Sequence, residues 1–232
     1  MKRIIFFIYV SLLILNCGKA WSLIEVDITR GNLNPLPLAV SPLSVDQKSK
    51  DKFKDLLKLD DIGAEISKVV ENNLRQSGLF NPLDPKAFLQ KPDIAHVKPR
   101  FEDWALIKAQ ALITGEVKIV DEKLRVEFRL WDILAGKEIM ALAFTTVSEN
   151  WRRVGHIITD KVYQRLTGEK GYFDTRVIYV AEEGLKTNRI KKLAIMDQDG
   201  FNTKYLTLGN ELVLTPRFNP TNQMVTYLSY FK

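Results

Sequence analysis

The sequence predicts an α+β protein: a first domain of two main helices on a small mixed sheet, then the first blade and part of the second of a truncated β-propeller. Three observations carry that prediction. Apolar residues recur at helical spacing in two stretches, Ile62 to Leu74 and Val154 to Leu166. Between them, three runs alternate apolar and polar residues with the period of a strand. Beyond Asp174 the pattern is all strand, with turn residues at short intervals.

The chain opens with Lys2 and Arg3, followed by an apolar run from Ile4 to Leu15 and small residues at Gly18 and Ala20. That is the pattern of a secretory leader over residues 1–20, with a mature start near Trp21 and cleavage after Ala20 or Ser22. The apolar run is shorter than the about 20 residues a membrane-spanning helix needs, so no membrane span is expected after cleavage. Asn16 stands where a lipid-modified Cys17 would want a small residue. Cys17 is the single cysteine, so a cleaved chain has no disulfide and relies on its core.

Removing the leader also changes the charge. The full chain carries 34 basic and 28 acidic residues; without Lys2, Arg3 and Lys19 the excess falls from +6 to +3. The basic residues are scattered among acids, which argues against a nucleic-acid partner, since that would need them gathered on one face. At 46% hydrophobic and 27% charged, the composition is that of an ordinary globular chain.

Along the mature chain, Ile24 to Thr29 alternates as a strand, and Leu38-Ala39-Val40 makes a short apolar run stopped by Pro42. A loop rich in Lys and Asp is expected next, as far as Asp60-Asp61, which caps the first helix. Ile62, Ile66, Val69, Val70 and Leu74 form the apolar stripe of that helix, and Gly78 ends it. Pro82 and Pro85 predict a loop, and Phe101 to Lys108 a short helix.

Strands follow at Ala111 to Val120, Leu124 to Leu130 and Glu138 to Thr146, with the turn at Asp121-Glu122-Lys123. One face of this sheet reads as apolar and the other as solvated. Trp151 to Leu166 is the second main helix, ended by Gly168. The first domain therefore spans residues 21–170, and residues 171–232 hold propeller strands. Those include Arg176 to Ala181, Lys192 to Met196 with its turn at Asp197 to Gly200, and two more as far as Tyr230. Lys192 to Tyr230 alone has about one blade's worth of strands, and one blade closes no ring, so the chain is expected to be a fragment of a longer protein.

Catalytic signatures are missing: no G-x-S-x-G, no phosphate-cradling glycine loop and no H-E-x-x-H. His96 and His156 stand apart, each without a companion at ligand spacing. Asp197 and Asp199 lack the later glycine and closing glutamate of a calcium loop. The expectation is a protein that is not an enzyme, with no cofactor and no metal.

Particular residues nevertheless resemble a known family. Asp61-Ile62-Gly63, the run Ser77 to Asp84 (SGLFNPLD) and Phe101-Glu102-Asp103-Trp104 are similar to the first domain of the TolB family, periplasmic components of the Tol–Pal system of Gram-negative bacteria. Ala194 to Asn202 (AIMDQDGFN) and Leu214 to Pro220 (LTPRFNP) look like its first propeller repeat. The resemblance implies an α/β domain followed by a six-bladed propeller. It also implies a non-catalytic adaptor that joins the lipoprotein Pal at the outer membrane to TolA of the inner membrane. Family members engage TolA through the mature N-terminal segment and Pal mainly through the propeller.

Here the TolA segment would be Trp21, Ser22, Leu23, Ile24, Glu25, Val26, Asp27, Ile28, Thr29 and Arg30. Its alternating strand pattern could add to a partner's sheet edge or belong to this chain's own sheet. The alternative reading of the whole is a periplasmic propeller-containing hydrolase or ligand-binding protein whose catalytic part lies beyond Lys232.

Overall fold

The computed structural model describes residue 24 and residues 34–91, 98–185, 187–222 and 224–231. The leader at 1–20 and the strand read at Ile24 to Thr29 lie outside that set, Ile24 excepted.

The central sheet is mixed. Strands β1 (Leu36–Val40), β2 (Ser44–Val45), β3 (Phe80–Pro82), β4 (Ala111–Val120), β5 (Lys123–Asp132) and β6 (Lys137–Thr146) build it in the order β3-β1-β4-β5-β6, with β2 also on β4. β1 runs parallel to both β3 and β4, whereas β4, β5 and β6 form an antiparallel meander. Asp121 and Glu122 join β4 to β5 with φ of 48° and 60°. Two successive left-handed residues match the twist of the flanking strands, even where neither is glycine. The expected loop at Pro82 is instead the end of β3. Proline is tolerated there because β3 is an edge strand among the described residues and asks for no further donor on that side.

Among the described residues, four helices pack on this sheet: α1 (Gln47–Leu57), α2 (Ile62–Gln76), α3 (Phe101–Leu106) and α4 (Trp151–Thr167). α1 corrects the sequence reading, which expected a loop there. Its signal was thin, because only Ser49 and Phe53 are buried among lysines and aspartates. Asp46 starts α1, its carboxylate accepting from the Ser49 amide at 3.0 Å and from the Ser49 hydroxyl at 2.7 Å. Asp61 caps α2 through the Ala64 amide at 3.0 Å. The helix carries the predicted stripe, with Ile62, Ile66, Val69, Val70 and Leu74 all buried.

The core lies on both faces of the sheet, not on one. Leu38, Val40, Ile113, Val126, Phe128 and Leu130 meet α2 and α4 on the first face. On the opposite face the cross-strand row Ala39–Leu112–Trp131 meets Trp104 of α3. Phe101 and Phe88 complete that second cluster, their rings edge-on to Trp131 and Trp104. The expectation of one solvated face therefore fails at the end of the sheet that α3 covers. It holds along the charged ladder of Arg125, Glu127 and Arg129, where Arg125 pairs with Glu127 at 2.8 Å.

After α4 the chain is strands. β7 (Arg176–Glu183), β8 (Ile190–Asp197) and the short β9 (Lys204–Tyr205) form one antiparallel sheet. β10 (Glu211–Phe218) and β11 (Val225–Phe231) form a second sheet, and β10 lies against β7 and β8. Lys192 to Tyr230 is thus not one blade: its first two strands complete the sheet begun by β7, and its last two open another. These are a first blade and part of a second, as the fold class predicted, and the described residues contain no closed ring.

Candidate functional site

The most constructed polar feature lies where α2 and α4 meet the turn after β8. Gly155 of α4 makes the helix crossing possible, since a Cβ there would lie 2.8 Å from Cγ1 of Val69 on α2. That close approach brings Asn73 of α2 beside His156 and Thr159 of α4. The Asn73 amide Nδ2 lies 2.9 Å from His156 Nδ1 and 3.2 Å from Thr159 Oγ1. From the other side, Gln198 in the turn donates through Nε2 to Asn73 Oδ1 at 3.0 Å. Arg152 pairs with Asp199 of the same turn and stacks on Phe201, 3.9 Å from the ring centroid.

The chain between α4 and β7 is held to the same helix. Asp160 accepts from the backbone amides of Phe173 at 2.7 Å and Asp174 at 3.1 Å. Arg153 makes a two-pronged pair with Asp174 at 3.0 and 3.1 Å.

The proton positions in this cluster are assigned from its hydrogen bonds. Thr159 Oγ1 donates to the Gly155 carbonyl at 2.9 Å, so towards Asn73 it must accept. That places the Asn73 NH2 group toward His156, leaves the lone pair on Nδ1, and puts the imidazole proton on Nε2. The Nε2–H group is buried without a hydrogen-bond partner, and the Asp199 carboxylate is 3.7 Å away. Burial pushes the His156 pKa below the ordinary imidazole value; Asp199, Asp197 and Asp174 pull it back up and Arg152 pushes it further down.

His156, Asp197 and Asp199 can bring one ligand atom each within 4.8 Å of one another, a grouping the sequence spacing concealed. Nε2 carries a proton instead of a lone pair, and Arg152 already neutralises Asp199. The same arrangement suits His156 poorly to base catalysis, because its ring is 2% exposed and its free lone pair is taken by an amide. The cluster ties two helices to a strand turn.

Of the predicted partner-binding residues, Ile24 alone is described. It packs against the first core cluster, and its amide donates to Asp132 at 3.2 Å. Trp21, Ser22, Leu23, Glu25, Val26, Asp27, Ile28, Thr29 and Arg30 lie outside the described residues, as does His96. A hollow of about 210 Å³ opens on the charged face of the sheet beside Glu116, Arg125, Arg129 and Ala141, and Arg129 is paired there with Glu138.

Comparison with known proteins places this fold. The TolB amino-terminal domain matches residues 24–139, and the TolB beta propeller domain matches residues 163–232. The chain belongs to the TolB family. It is 83% identical over 214 residues to the Tol-Pal system protein TolB of Pelagibacter ubique (strain HTCC1062), an alignment covering 92% of this chain and 48% of that protein. Among solved structures it superposes on TolB from Acinetobacter baumannii with a TM-score of 0.71 at 21% identity, over 90% of this chain and 48% of that one. This TolB-family chain thus spans about half the length of the relatives it matches. A weaker likeness, TM-score 0.36 at 12% identity over 51% of this chain and 87% of the other, is to the LpoB C-terminal domain from Salmonella enterica. No helix among the described residues is long and apolar enough to cross a membrane.

Proposed function

We propose that this chain acts in the Tol–Pal system as a non-catalytic periplasmic adaptor, linking Pal at the outer membrane to TolA of the inner membrane. Its service would be outer-membrane invagination during division and integrity of the envelope. The observation that carries this reading is the 83% identity to a Tol-Pal system TolB over 92% of the chain. The division of labour would fall near residue 170. The preceding domain presents Trp21 to Arg30 to TolA as an added strand, and the strands that follow belong to the propeller that receives Pal.

A binding experiment tests the reading. The chain from Trp21, immobilised, should retain the TolA periplasmic domain, and deletion of Trp21 to Arg30 should abolish retention while the rest still unfolds cooperatively, at a midpoint lowered by the loss of Ile24's packing and its bond to Asp132. Pal, which needs further blades, should bind this chain poorly. Undiminished TolA retention by the deletion variant would refute the assigned segment, and failure of the intact chain to retain TolA would refute the adaptor role.

A further inference from the structure

We infer that Asn73, His156 and Gln198 form an acid-sensitive clasp that joins the first domain to the propeller strands and opens when His156 takes up a proton. The argument starts from the direction of each hydrogen bond. Gln198 reaches the first domain through Asn73 Oδ1, and Asn73 can present that oxygen only while its NH2 group faces the lone pair on His156 Nδ1. A proton on Nδ1 would set N–H against N–H at 2.9 Å. Asn73 must then withdraw or turn over. Turning over takes Oδ1 away from Gln198 and brings it against Thr159 Oγ1, whose own proton is committed to Gly155. Withdrawal breaks the link, and turning over restores it only if Gln198 turns its own amide as well to accept from Asn73.

The charged groups facing the ring set how the clasp responds. From the β8 turn come Asp197 and Asp199, from the connecting segment Asp174, and from α4 itself Arg152. Asp199 is held by Arg152 and Asp174 by Arg153, so most of the negative charge is already balanced. Burial dominates, and the folded ring resists the proton. The sign follows from linkage. An opened His156 titrates near pH 6.5 and the closed one at lower pH, so the open form binds more protons in between. Closure is complete above about pH 6.5 and weakens as pH falls through the window beneath it, approaching tenfold per pH unit. Histidine is the side chain whose ordinary charge change falls at mildly acidic pH, which makes His156 the sensor.

Hydrogen exchange of the Asp197 to Phe201 amides, corrected for the intrinsic pH dependence of exchange, reads the opening directly. Between pH 7.5 and pH 5.5 the opening constant of the unaltered chain should rise several-fold, and by about tenfold at most. His156→Gln should abolish that dependence. Asn73→Asp, which gives a protonated ring an acceptor at Nδ1, should flatten or reverse it. Nitrogen chemical shifts of His156 should report the Nε2–H tautomer at neutral pH. A flat profile in the unaltered chain, or the same slope in the glutamine variant, would overturn the clasp. Protection of the turn by added Zn²⁺, lost in His156→Gln, would overturn the tautomer on which it rests.

Discussion

Gly155 is the position at which a single carbon should decide the packing of the first domain. A Cβ added there falls 2.8 Å from Val69 Cγ1 and 3.0 Å from Val69 Cβ, with the Ile66 carbonyl at 3.5 Å. Ordinary carbon–carbon contact needs close to 4 Å, so the two helices must separate by about 1 Å or Val69 must leave its rotamer. Valine in a helix has essentially one χ1 state, and Val69 is buried, so the helices carry the strain. Overpacking of this kind costs about 1–3 kcal/mol. Against it, alanine in a helix is favoured over glycine by about 1 kcal/mol. Gly155→Ala should therefore destabilise the chain by up to about 2 kcal/mol. At 2–4 °C per kcal/mol for a chain of this size, that lowers the midpoint by up to about 8 °C.

Thermal and urea melts of a double-mutant cycle with Val69→Ala separate the two contributions. Val69→Ala removes the methyl at 2.8 Å but keeps the Cβ at 3.0 Å, so in its background Gly155→Ala should cost clearly less than in the unaltered chain, without reaching the full helix-propensity gain of about 1 kcal/mol. If Gly155→Ala stabilises the unaltered chain, or if the cycle is additive, the close crossing does not govern the packing of α2 on α4.

Two further outcomes follow from capping groups. Asp160→Ala strips the acceptor from the Phe173 and Asp174 amides; those two amides should lose protection in hydrogen exchange, and unfolding should become easier by about 1–3 kcal/mol. Asp46 holds the start of α1, and the Ser49 hydroxyl that donates to it lowers its pKa below the ordinary aspartate value. A depressed carboxyl pKa stabilises the fold above the unfolded value and loses that contribution as pH falls through the folded one. Asp46→Ala should cost about 1 kcal/mol at neutral pH, with the gap to the unaltered chain closing below about pH 4. Asn at the same position should keep the cap and remove the pH dependence, measured by urea melts across that range.

The elements with strong periodicity were legible in the sequence. α2 and α4 each bury a full stripe that ends at a left-handed glycine, Gly78 or Gly168, and Asp61 marks the start of α2. The meander was legible because each strand alternates and the turn falls on polar residues. α1 was not, because Phe53 is its one large buried residue, too few for a period to register. The second core cluster was hidden in Ala111-Leu112-Ile113, a continuous apolar run that shows neither face until α3 lies on one of them. The strand division after β8 was blurred because β9 is two residues long.

The polar junction was out of reach for another reason. Asn73 and His156 stand 83 positions apart, and Asn73 and Gln198 stand 125 apart. Each alone reads as a surface amide or a solitary imidazole. Their meaning comes from Gly155, whose missing side chain lets the helices approach closely enough to bury them together.

The placement of β1 between β3 and β4 also governs the order in which this domain can assemble. β4, β5 and β6 are joined by tight turns and can zip together from local contacts. β1, by contrast, must wait for partners made much later: Leu38 faces Pro82 on one side and Ala111 on the other. Loop-closure entropy makes such distant pairings slow. A chain emerging N-terminus first therefore carries Leu36 to Val40 as an apolar strand with an open edge until β4 has been made. During that interval the segment is open to chaperones and to mispairing with a second chain, and the rate of meander formation sets how long the exposure lasts.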